Sequence, residues 1–280
     1  MSSPRLIDGL SEIARDHDAL ICDIWGVVHD GHAPFPEAAE ALRRFRQEHG
    51  KVILLSNAPR PPRSVEDQFR RIGVATDFYD AIVTSGGAVR EYLVARAKLA
   101  PLSLYYLGPE QDTGLLDGID VARVGIDKAD VALCVGLVDD LTETPDDYSD
   151  ILAAMRARNL TMLCANPDLK VYRGSQLCWC AGALAQAYEA IGGTVTYYGK
   201  PYPAIYDVAL AAAGRPSRAL AIGDALITDL KGARDAGLKA LFIADGLHGE
   251  EIEPYTAQHL GEMFAAADVE AKAAMRALRW

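Results

Sequence analysis

The sequence is poor in positive charge and contains no long apolar run. Its 28 Lys and Arg are outnumbered by 39 Asp and Glu, which gives a formal net charge of −11 at pH 7. Nucleic-acid binding depends on clustered Lys and Arg, so this balance argues against a nucleic-acid partner, and an anionic small substrate would need local positive groups. No run of about 18 apolar residues occurs, and the N-terminus lacks the regions of a signal peptide. We therefore expect a cytoplasmic protein that does not enter a membrane.

Cysteine is also scarce, and its spacing excludes two kinds of site. The five cysteines are odd in number, lie in apolar surroundings and lack the CxxC spacing of zinc and redox sites. We expect buried thiols at all five positions, which are Cys22, Cys134, Cys164, Cys178 and Cys180. Internal repeats of solenoid period and low-complexity segments are absent as well, which excludes repeat architectures.

The composition that remains is that of an ordinary globular protein. Apolar residues make up 50% and charged residues 24% of the chain. A length of 280 residues is long for one hydrophobic core and comfortable for two, because domains cluster near roughly 100 to 150 residues. The sequence therefore predicts two domains.

Apolar runs that are typical of buried strands alternate with helical patterns in both outer parts of the chain. Continuous apolar runs are expected in parallel sheets, because helices cover both faces. The predicted strands are 19–24, 51–56 and 81–86 in the first part, and 194–199, 218–223 and 239–244 in the last. Helices are predicted between them, among them 36–49, 203–213 and 226–236. This order predicts a Rossmann-like, doubly wound parallel α/β sheet.

The middle of the chain has its own strand runs, at 102–108, 130–136 and 160–166, interleaved with helical patterns. It is long enough to bury a core, whereas the outer parts together complete one sheet. We therefore predict an α/β domain over 87–192, inserted into a domain formed by 1–86 and 193–280.

Polar residues that follow these strands share one chemical theme. Ligands bind beyond the carboxyl ends of strands in open α/β sheets, so these residues are the candidates for a site. They are Asp23, Ser56, Asn57, Lys200 and Asp224, with Asp229 at the start of the next predicted helix. Carboxylates bind Mg²⁺, and a lysine with a hydroxyl binds phosphoryl oxygens. Each residue alone is also explained as a turn residue, a helix cap or a solvated charge.

Four segments carry a resemblance to a known family. They are "DIWGVVHDG" from Asp23, "LLSNAPR" from Leu54, "GKPYPAIY" from Gly199 and "GDALITDLKGA" from Gly223. Their order and spacing resemble the four motifs of the haloacid dehalogenase superfamily of aspartate-nucleophile phosphohydrolases. The long insert between the second and third motifs, with "CANPD" at 164–168, is similar to the cap domain of subclass IIA, which contains sugar-phosphate, nucleotide and p-nitrophenyl phosphatases.

The resemblance implies a role for each matched residue in hydrolysis of a small phosphorylated metabolite. Asp23 would form an aspartyl phosphate, in which covalent catalysis divides one difficult displacement into two steps. Ser56 and Lys200 would bind the phosphoryl group, with Asn57 close to the substrate. Asp168 in the cap would contact the leaving group.

The resemblance also implies a Mg²⁺ site. Its ligands would be the Asp23 and Asp224 carboxylates and the backbone carbonyl of Trp25, supported by Asp229. Relatives in subclass IIA often associate through their caps, which allows a homodimer.

Trp25 departs from the family pattern. The family usually has a second aspartate two residues after the nucleophile, which acts as general acid and base. An indole cannot transfer that proton, although the carbonyl of Trp25 still serves a metal. Three alternatives stay open: a phosphatase that prefers good leaving groups or takes its acid from a residue such as His29 or His32, a phosphotransferase, and a low-turnover binding or regulatory protein. The indole itself either packs under the cap hinge or stacks on the substrate.

Overall fold

The computed structural model describes residues 3–173, 176–246 and 252–280. In chain order its strands are β1 (Arg5–Leu6), β2 (Ala19–Asp23), β3 (Lys51–Ser56), β4 (Ala81–Thr84), β5 (Ser103–Leu107), β6 (Ala122–Arg123), β7 (Val131–Cys134), β8 (Thr161–Cys164), β9 (Lys170–Arg173), β10 (Gln176–Trp179), β11 (Thr194–Tyr197), β12 (Ala219–Gly223), β13 (Lys239–Ile243) and β14 (Ala273–Met275). The α-helices are α1 (Pro36–Glu48), α2 (Pro62–Ile72), α3 (Ser85–Leu99), α4 (Ser149–Ala157), α5 (Ala181–Ala190), α6 (Pro203–Ala212), α7 (Lys231–Asp235) and α8 (Ala257–Ala266).

The chain divides into two compact units. Unit 1 contains the described residues of Met1–Ser56, Arg63–Val83 and Lys200–Trp280, and unit 2 contains those of Asn57–Pro62 and Thr84–Gly199.

Unit 1 is built on a seven-stranded sheet in the order β1-β14-β13-β12-β2-β3-β4. From β2 the chain moves outward through β3 to β4, and from β12 it moves outward the other way through β13 to β14, so the order reverses between β2 and β12. β2 is parallel to both of its neighbours, β3 and β12. The fold class predicted from the sequence is confirmed. The central strands are continuously apolar because helices cover both faces of such a sheet.

Unit 2 has a five-stranded sheet in the order β11-β8-β7-β5-β6 and a separate antiparallel hairpin of β9 and β10. One buried cluster contains alternate residues of the central strands, Ala132 and Cys134 of β7 and Met162 of β8, together with residues of α4 and α5. Period-2 alternation therefore sends the residues between them, such as Leu133 and Leu163, to the opposite face of the sheet.

The structure corrects the placement of one predicted strand. The run 194–199 was assigned to the sheet of the outer parts, whereas β11 is parallel to β8 in unit 2, with Thr196 opposite Leu163. The chain leaves β8, forms the hairpin and α5, and returns beside β8, which is the usual neighbouring crossover of parallel strands. An apolar run does not say which sheet it joins. The domain boundaries at 86/87 and 192/193 stay a prediction.

Three further observations concern the sequence predictions. All five cysteines are buried thiols, as expected. Within the ranges that the structure describes, no helix is long and apolar enough to cross a membrane. The short strands β1 and β14 were not predicted, because two or three residues give no readable periodicity.

Removing the hydroxyl of Tyr188 should destabilise unit 2. Tyr188 on α5 is fully buried, and its hydroxyl donates a 2.7 Å hydrogen bond to the carbonyl of Leu160. Tyr188→Phe leaves that buried carbonyl without a donor, so we expect the free energy of unfolding to fall by about 1–3 kcal/mol. Tyr197→Phe is the matched control, because the Tyr197 hydroxyl donates to Glu189 at an exposed position, and its cost should stay within about 0.5 kcal/mol. Denaturant unfolding measures both, and equal costs would contradict the expectation.

Candidate active site

The candidate site lies at the carboxyl ends of the central strands of unit 1. Asp23 is the last residue of β2, and its register partner on β3 is Leu55, which precedes Ser56. On the other side of β2, Asp224 follows β12 directly. This is the point where the strand order reverses, at which open α/β sheets bind their ligands. Adjacent parallel strands thus bring together residues that lie far apart in the sequence.

A buried lysine connects two of the carboxylates. Lys200 Nζ lies 2.6 Å from Asp23 Oδ1 and 2.7 Å from Asp229 Oδ1. The three side chains are 4%, 11% and 6% exposed, respectively, so these are ion pairs shielded from solvent. Asp23 Oδ1 also accepts a 2.7 Å hydrogen bond from the backbone N–H of Ile24. These contacts fix the orientation of the Asp23 carboxylate.

The electrostatics of the group are dominated by burial and by like charges. Burial raises the pKa of Asp23 to about 6, with a further rise from Asp224 that the ammonium of Lys200 opposes. Burial and the neighbouring Asp23 likewise raise the pKa of Asp229. Burial alone would lower the pKa of Lys200, but the carboxylates of Asp229 and Asp23 raise it well above its usual value. Lys200 is therefore a fixed positive charge among crowded carboxylates.

Three carboxylates are close enough to share a cation. Asp23, Asp224 and Asp229 are buried and offer oxygens that all lie within 4.8 Å of one another. Together with one ammonium group they carry an excess of negative charge when ionised, which a divalent cation would offset. Carboxylate oxygens are the ligands that Mg²⁺ prefers. The residues therefore fit a hard divalent cation.

Two glycines give Asp224 its space. A Cβ on Gly26 would lie 2.0 Å from Asp224 Oδ2, and a Cβ on Gly246 would lie 2.1 Å from the same atom. Gly26 additionally has φ +79°, which side-chain-bearing residues rarely adopt. Gly26 belongs to the first motif. Gly246 was not predicted as part of the site, because its segment follows β13 and carries none of the quoted motifs.

Asp229 is positioned by a turn that the sequence analysis read as ordinary helix. The predicted helix 226–236 begins as one π-helical turn, Leu226–Leu230, before α7. In this turn the carbonyl of Ala225 accepts hydrogen bonds from the N–H groups of Asp229 and Leu230, and the N–H of Ala225 donates to Asp229 Oδ2 at 3.2 Å. Such turns occur frequently at functional sites.

Tyr206 on α6 is a second residue that the sequence analysis did not single out. Its phenol is buried, and the hydroxyl donates to the backbone carbonyl of Asp229 at 3.3 Å. It stands in the "GKPYPAIY" motif six residues after Lys200, so the motif itself was the available signal. Tyr206 therefore connects the segment of Lys200 to the segment of Asp229.

Trp25 and His29 lie in the loop after β2 and face different environments. The Trp25 side chain is 38% exposed, and its Nε1 lies 3.3 Å from the position that a Cβ on Gly31 would take. His29 is 2% exposed, packs edge-on against Phe69 and accepts the N–H of Gly31 at Nδ1. Burial lowers the pKa of His29. A neutral, buried imidazole does not suit the role of general acid for the leaving group. The second candidate for that role, His32, is exposed.

Asn57 and Asp168 meet each other in unit 2. Asn57 Nδ2 donates a 2.8 Å hydrogen bond to Asp168 Oδ1, and Asn57 Oδ1 accepts a longer bond from the buried hydroxyl of Ser85. Asn166 Oδ1 accepts the N–H of Asp168 at 3.0 Å, which is the Asx turn expected of an Asn-Pro-Asp segment. The two predicted substrate contacts are thus hydrogen-bonded partners. The sequence analysis did not predict Ser85 as a neighbour of these residues, because it lies in the run 81–86, which was interpreted only as a strand.

Comparison with known proteins agrees with this geometry. The profile of a haloacid dehalogenase-like hydrolase family matches residues 20–122, and a second profile, HAD-hydrolase-like, matches residues 197–267. These regions contain Asp23, Ser56, Lys200, Asp224 and Asp229.

Two phosphatases are similar to this chain in sequence. A dihydroxyacetone phosphatase of Corynebacterium glutamicum is 33% identical over 85% of this chain and 85% of its own length. A D-glycerol 3-phosphate phosphatase of Mycobacterium tuberculosis is 29% identical over 85% of this chain, which spans 66% of that relative's length.

Two crystal structures are also similar. A haloacid dehalogenase-like hydrolase from Brucella suis is 38% identical, with a TM-score of 0.83 over 98% of this chain and all of the other. A glycerol phosphate phosphatase from Mycobacterium tuberculosis in complex with magnesium is 27% identical, with a TM-score of 0.63 over 84% of this chain and 70% of the other. The fold and the site define a hydrolase built on a parallel, Rossmann-like α/β sheet. The chain belongs to the haloacid dehalogenase-like hydrolase family.

Filling the space beside Asp224 should weaken cation binding. Gly246→Ala places a methyl group where Asp224 Oδ2 now lies, so the carboxylate must move away. We expect the Kd for Mg²⁺ to rise about tenfold or more, seen as a smaller rise of Tm on adding Mg²⁺. Gly136→Ala is the control, because the nearest atom to its new methyl group is Pro109 Cδ at 3.8 Å. An equal Mg²⁺-induced rise of Tm in both variants would show that Asp224 does not bind the cation.

Proposed function

We propose that this protein is a Mg²⁺-dependent phosphatase that acts on a small phosphorylated metabolite. The observation that carries the proposal is the buried group of Asp23, Lys200 and Asp229 beside Asp224 at the switch point of the sheet. The names of the two sequence relatives, phosphatases of glycerol 3-phosphate and dihydroxyacetone, support a substrate of this size and class.

Asp23 is the proposed nucleophile. Its Oδ1 is held by Lys200 Nζ and by the N–H of Ile24, which leaves Oδ2 as the oxygen that attacks phosphorus. Attack forms the bond between Oδ2 and phosphorus and breaks the bond to the leaving oxygen, and water then hydrolyses the aspartyl phosphate. Lys200 lies 2.6 Å from the carboxylate, so its positive charge stabilises the negative charge that develops on the phosphoryl oxygens.

The cation would be held by Asp23, Asp224 and the backbone carbonyl of Trp25, with Asp229 in support. Mg²⁺ would supply positive charge for the phosphoryl oxygens and fix their orientation. Asp229 already accepts from Lys200 and from the N–H of Ala225, so it orients the lysine whether or not the cation is bound. Ser56, beside Asp23 on the adjacent strand, is the proposed donor to a phosphoryl oxygen.

Among the residues that the structure describes, we assign none to proton transfer to the leaving group. Trp25 has no transferable proton, and His29 is buried with its Nδ1 engaged by Gly31. We therefore propose a preference for leaving groups that depart without protonation, such as aryl and acyl phosphates. General acid catalysis contributes about 10² to 10⁴ in rate, so alkyl phosphates should react more slowly by a factor within this range.

Two other functions use the same site. A slowly hydrolysed aspartyl phosphate would favour transfer of the phosphoryl group to another acceptor, and a site without turnover would make the protein a phospho-ligand binder. The buried Asp23 with its fixed Lys200 favours hydrolysis, because a binder needs no nucleophile. The substrate contacts of Asn57, Asp168 and Trp25, the inserted cap domain, the homodimer and the cytoplasmic location remain predictions.

Removing the nucleophile should abolish turnover. Asp23→Asn keeps the shape of the side chain but removes its charge, so we expect kcat to fall by about 10³-fold or more. Release of inorganic phosphate is measured at saturating Mg²⁺ with D-glycerol 3-phosphate, dihydroxyacetone phosphate and p-nitrophenyl phosphate. Asp207→Asn on the exposed face of α6 is the control and should keep full activity.

Other outcomes of this experiment would point to a different nucleophile, to a binding protein or to a phosphotransferase. If Asp23→Asn stays active, the assignment of Asp23 as the nucleophile is wrong. If the unaltered protein is stabilised by a phosphometabolite without releasing phosphate, the binding function replaces the proposed one. If the substrate loses its phosphoryl group only when a second acceptor is present, and the acceptor becomes phosphorylated instead of inorganic phosphate being released, the protein is a phosphotransferase.

Restoring a carboxyl group at position 25 should change the substrate preference. Trp25→Asp is expected to raise kcat/KM for D-glycerol 3-phosphate more than for p-nitrophenyl phosphate, because only the alkoxide needs protonation, with an upper bound of about 10² to 10⁴. Trp25→Asn has the same shape without the proton and should leave the ratio of the two substrates unchanged. If Trp25→Asp and Trp25→Asn change the ratio equally, the missing acid does not explain the preference.

A further inference from the structure

Unit 2 contains a cavity of about 200 Å³ that none of the residues of the candidate active site lines. Its floor is the face of the sheet that α4 and α5 do not cover, with Thr161 and Leu163 of β8 and Thr196 of β11. Its wall is α3, which contributes Tyr92 and Arg96. The cavity is smaller than the roughly 300–1,000 Å³ of sites for drug-sized molecules, so any ligand is small.

The lining is rich in polar groups that the fold does not use. The hydroxyls of Tyr92, Tyr198, Thr161 and Thr196 and the guanidinium of Arg96 make no hydrogen bond or ion pair with any residue that the structure describes. Tyr198 is the most informative, because it is only 9% exposed and lies against Tyr92, with ring centroids 5.8 Å apart. The Tyr198 hydroxyl itself is accessible from the cavity, so a ligand in the cavity can reach it. A bound ligand would give these groups their partners.

The two charged side chains of the lining, Arg96 and Asp130, indicate which charges a ligand would carry. Arg96 and Asp130 both line the cavity, so its lining carries one positive and one negative side chain. The Ser103 N–H donates to Asp130 Oδ2, which holds the carboxylate in place and leaves Oδ1 for a cationic group. A phosphate would meet the negative charge of Asp130, whereas a zwitterion complements both charges. Leu102, Val131 and Leu163 supply an apolar surface beside them.

We propose that this cavity binds a free α-amino acid, with the carboxylate on Arg96, the ammonium group on Asp130 and a small apolar side chain against Val131 and Leu163. The hydroxyls of Tyr92 and Tyr198 and of the two threonines complete the hydrogen bonds of the carboxylate and the ammonium group. The proposal does not depend on the phosphatase function, because all of the lining residues belong to unit 2 and none belongs to the proposed catalytic group.

The test uses the full chain and isothermal titration with the twenty common amino acids. We expect an aliphatic amino acid such as L-leucine to bind, and two analogues to bind about tenfold more weakly or worse. These are 4-methylpentanoate, which lacks the ammonium group, and 3-methylbutylamine, which lacks the carboxylate. If no amino acid binds at millimolar concentration, the proposal is wrong. If 4-methylpentanoate binds as well as leucine, the site takes a carboxylate and the assignment of Asp130 is wrong.

Variants with matched controls locate the binding. Tyr198→Phe and Arg96→Gln should each raise the Kd about tenfold. Tyr197→Phe, one residue away on the opposite face of β11, and Lys98→Gln, two residues further along α3, should leave the Kd unchanged. Equal effects in variant and control would place the binding elsewhere. Asp23→Asn should bind as the unaltered protein does, which separates this site from the proposed active site.

A second measurement needs no ligand. Because the Tyr198 hydroxyl has no partner among the described residues, Tyr198→Phe should not lower the unfolding midpoint of the free protein, in contrast to Tyr188→Phe. A midpoint that falls as far as that of Tyr188→Phe would show that the hydroxyl serves the fold and would overturn the proposal.

Discussion

The site depends on a single buried ammonium group. Lys200 Nζ lies between Asp23 Oδ1 and Asp229 Oδ1, and the three side chains are almost fully removed from water. Burying a charge is costly unless it is paired, so each of these groups requires the others. The ion pairs therefore fix the distance between the end of β2 and the turn after β12, and with it the space in which a phosphoryl group and a cation would be bound.

The parallel sheet makes this arrangement possible. β2 lies between β3 and β12, so the ends of three strands present Asp23, Ser56 and Asp224 at one edge. Small residues then admit the carboxylates: Gly26 and Gly246 lie against Asp224, and a Cβ on Gly223 would lie 2.2 Å from the Asp229 carboxyl carbon. When they are ionised, the buried carboxylates outnumber the ammonium group, and such an excess requires a bound cation or raised pKa values. Burial and the neighbouring Asp224 accordingly raise the pKa of Asp23 to about 6.

Polar side chains of this protein differ in whether the fold itself supplies their hydrogen-bond partners, which bears on function. Tyr188 in the core of unit 2 and Tyr206 in unit 1 each place a hydroxyl on a backbone carbonyl, which stabilises the fold. Tyr198 faces a cavity with no such partner among the described residues. Trp25 is a third case, since a large aromatic side chain is 38% exposed next to a proposed nucleophile. Groups that the fold does not need are the ones that a ligand can use.

The sequence by itself determined the α/β class and the identity of the strand-end residues, because apolar runs and the polar residues that end them are local features. It predicted Asp23, Ser56, Lys200, Asp224 and Asp229, and the structure brings the four charged ones together. Only the tertiary structure decided that β11 joins the sheet of unit 2, that Gly246 lies against Asp224, that His29 faces inward and that Asn57 contacts Asp168. Each of these is a contact between segments distant in sequence or a choice of side-chain direction. Such contacts are selected by packing the whole chain, which no local pattern encodes.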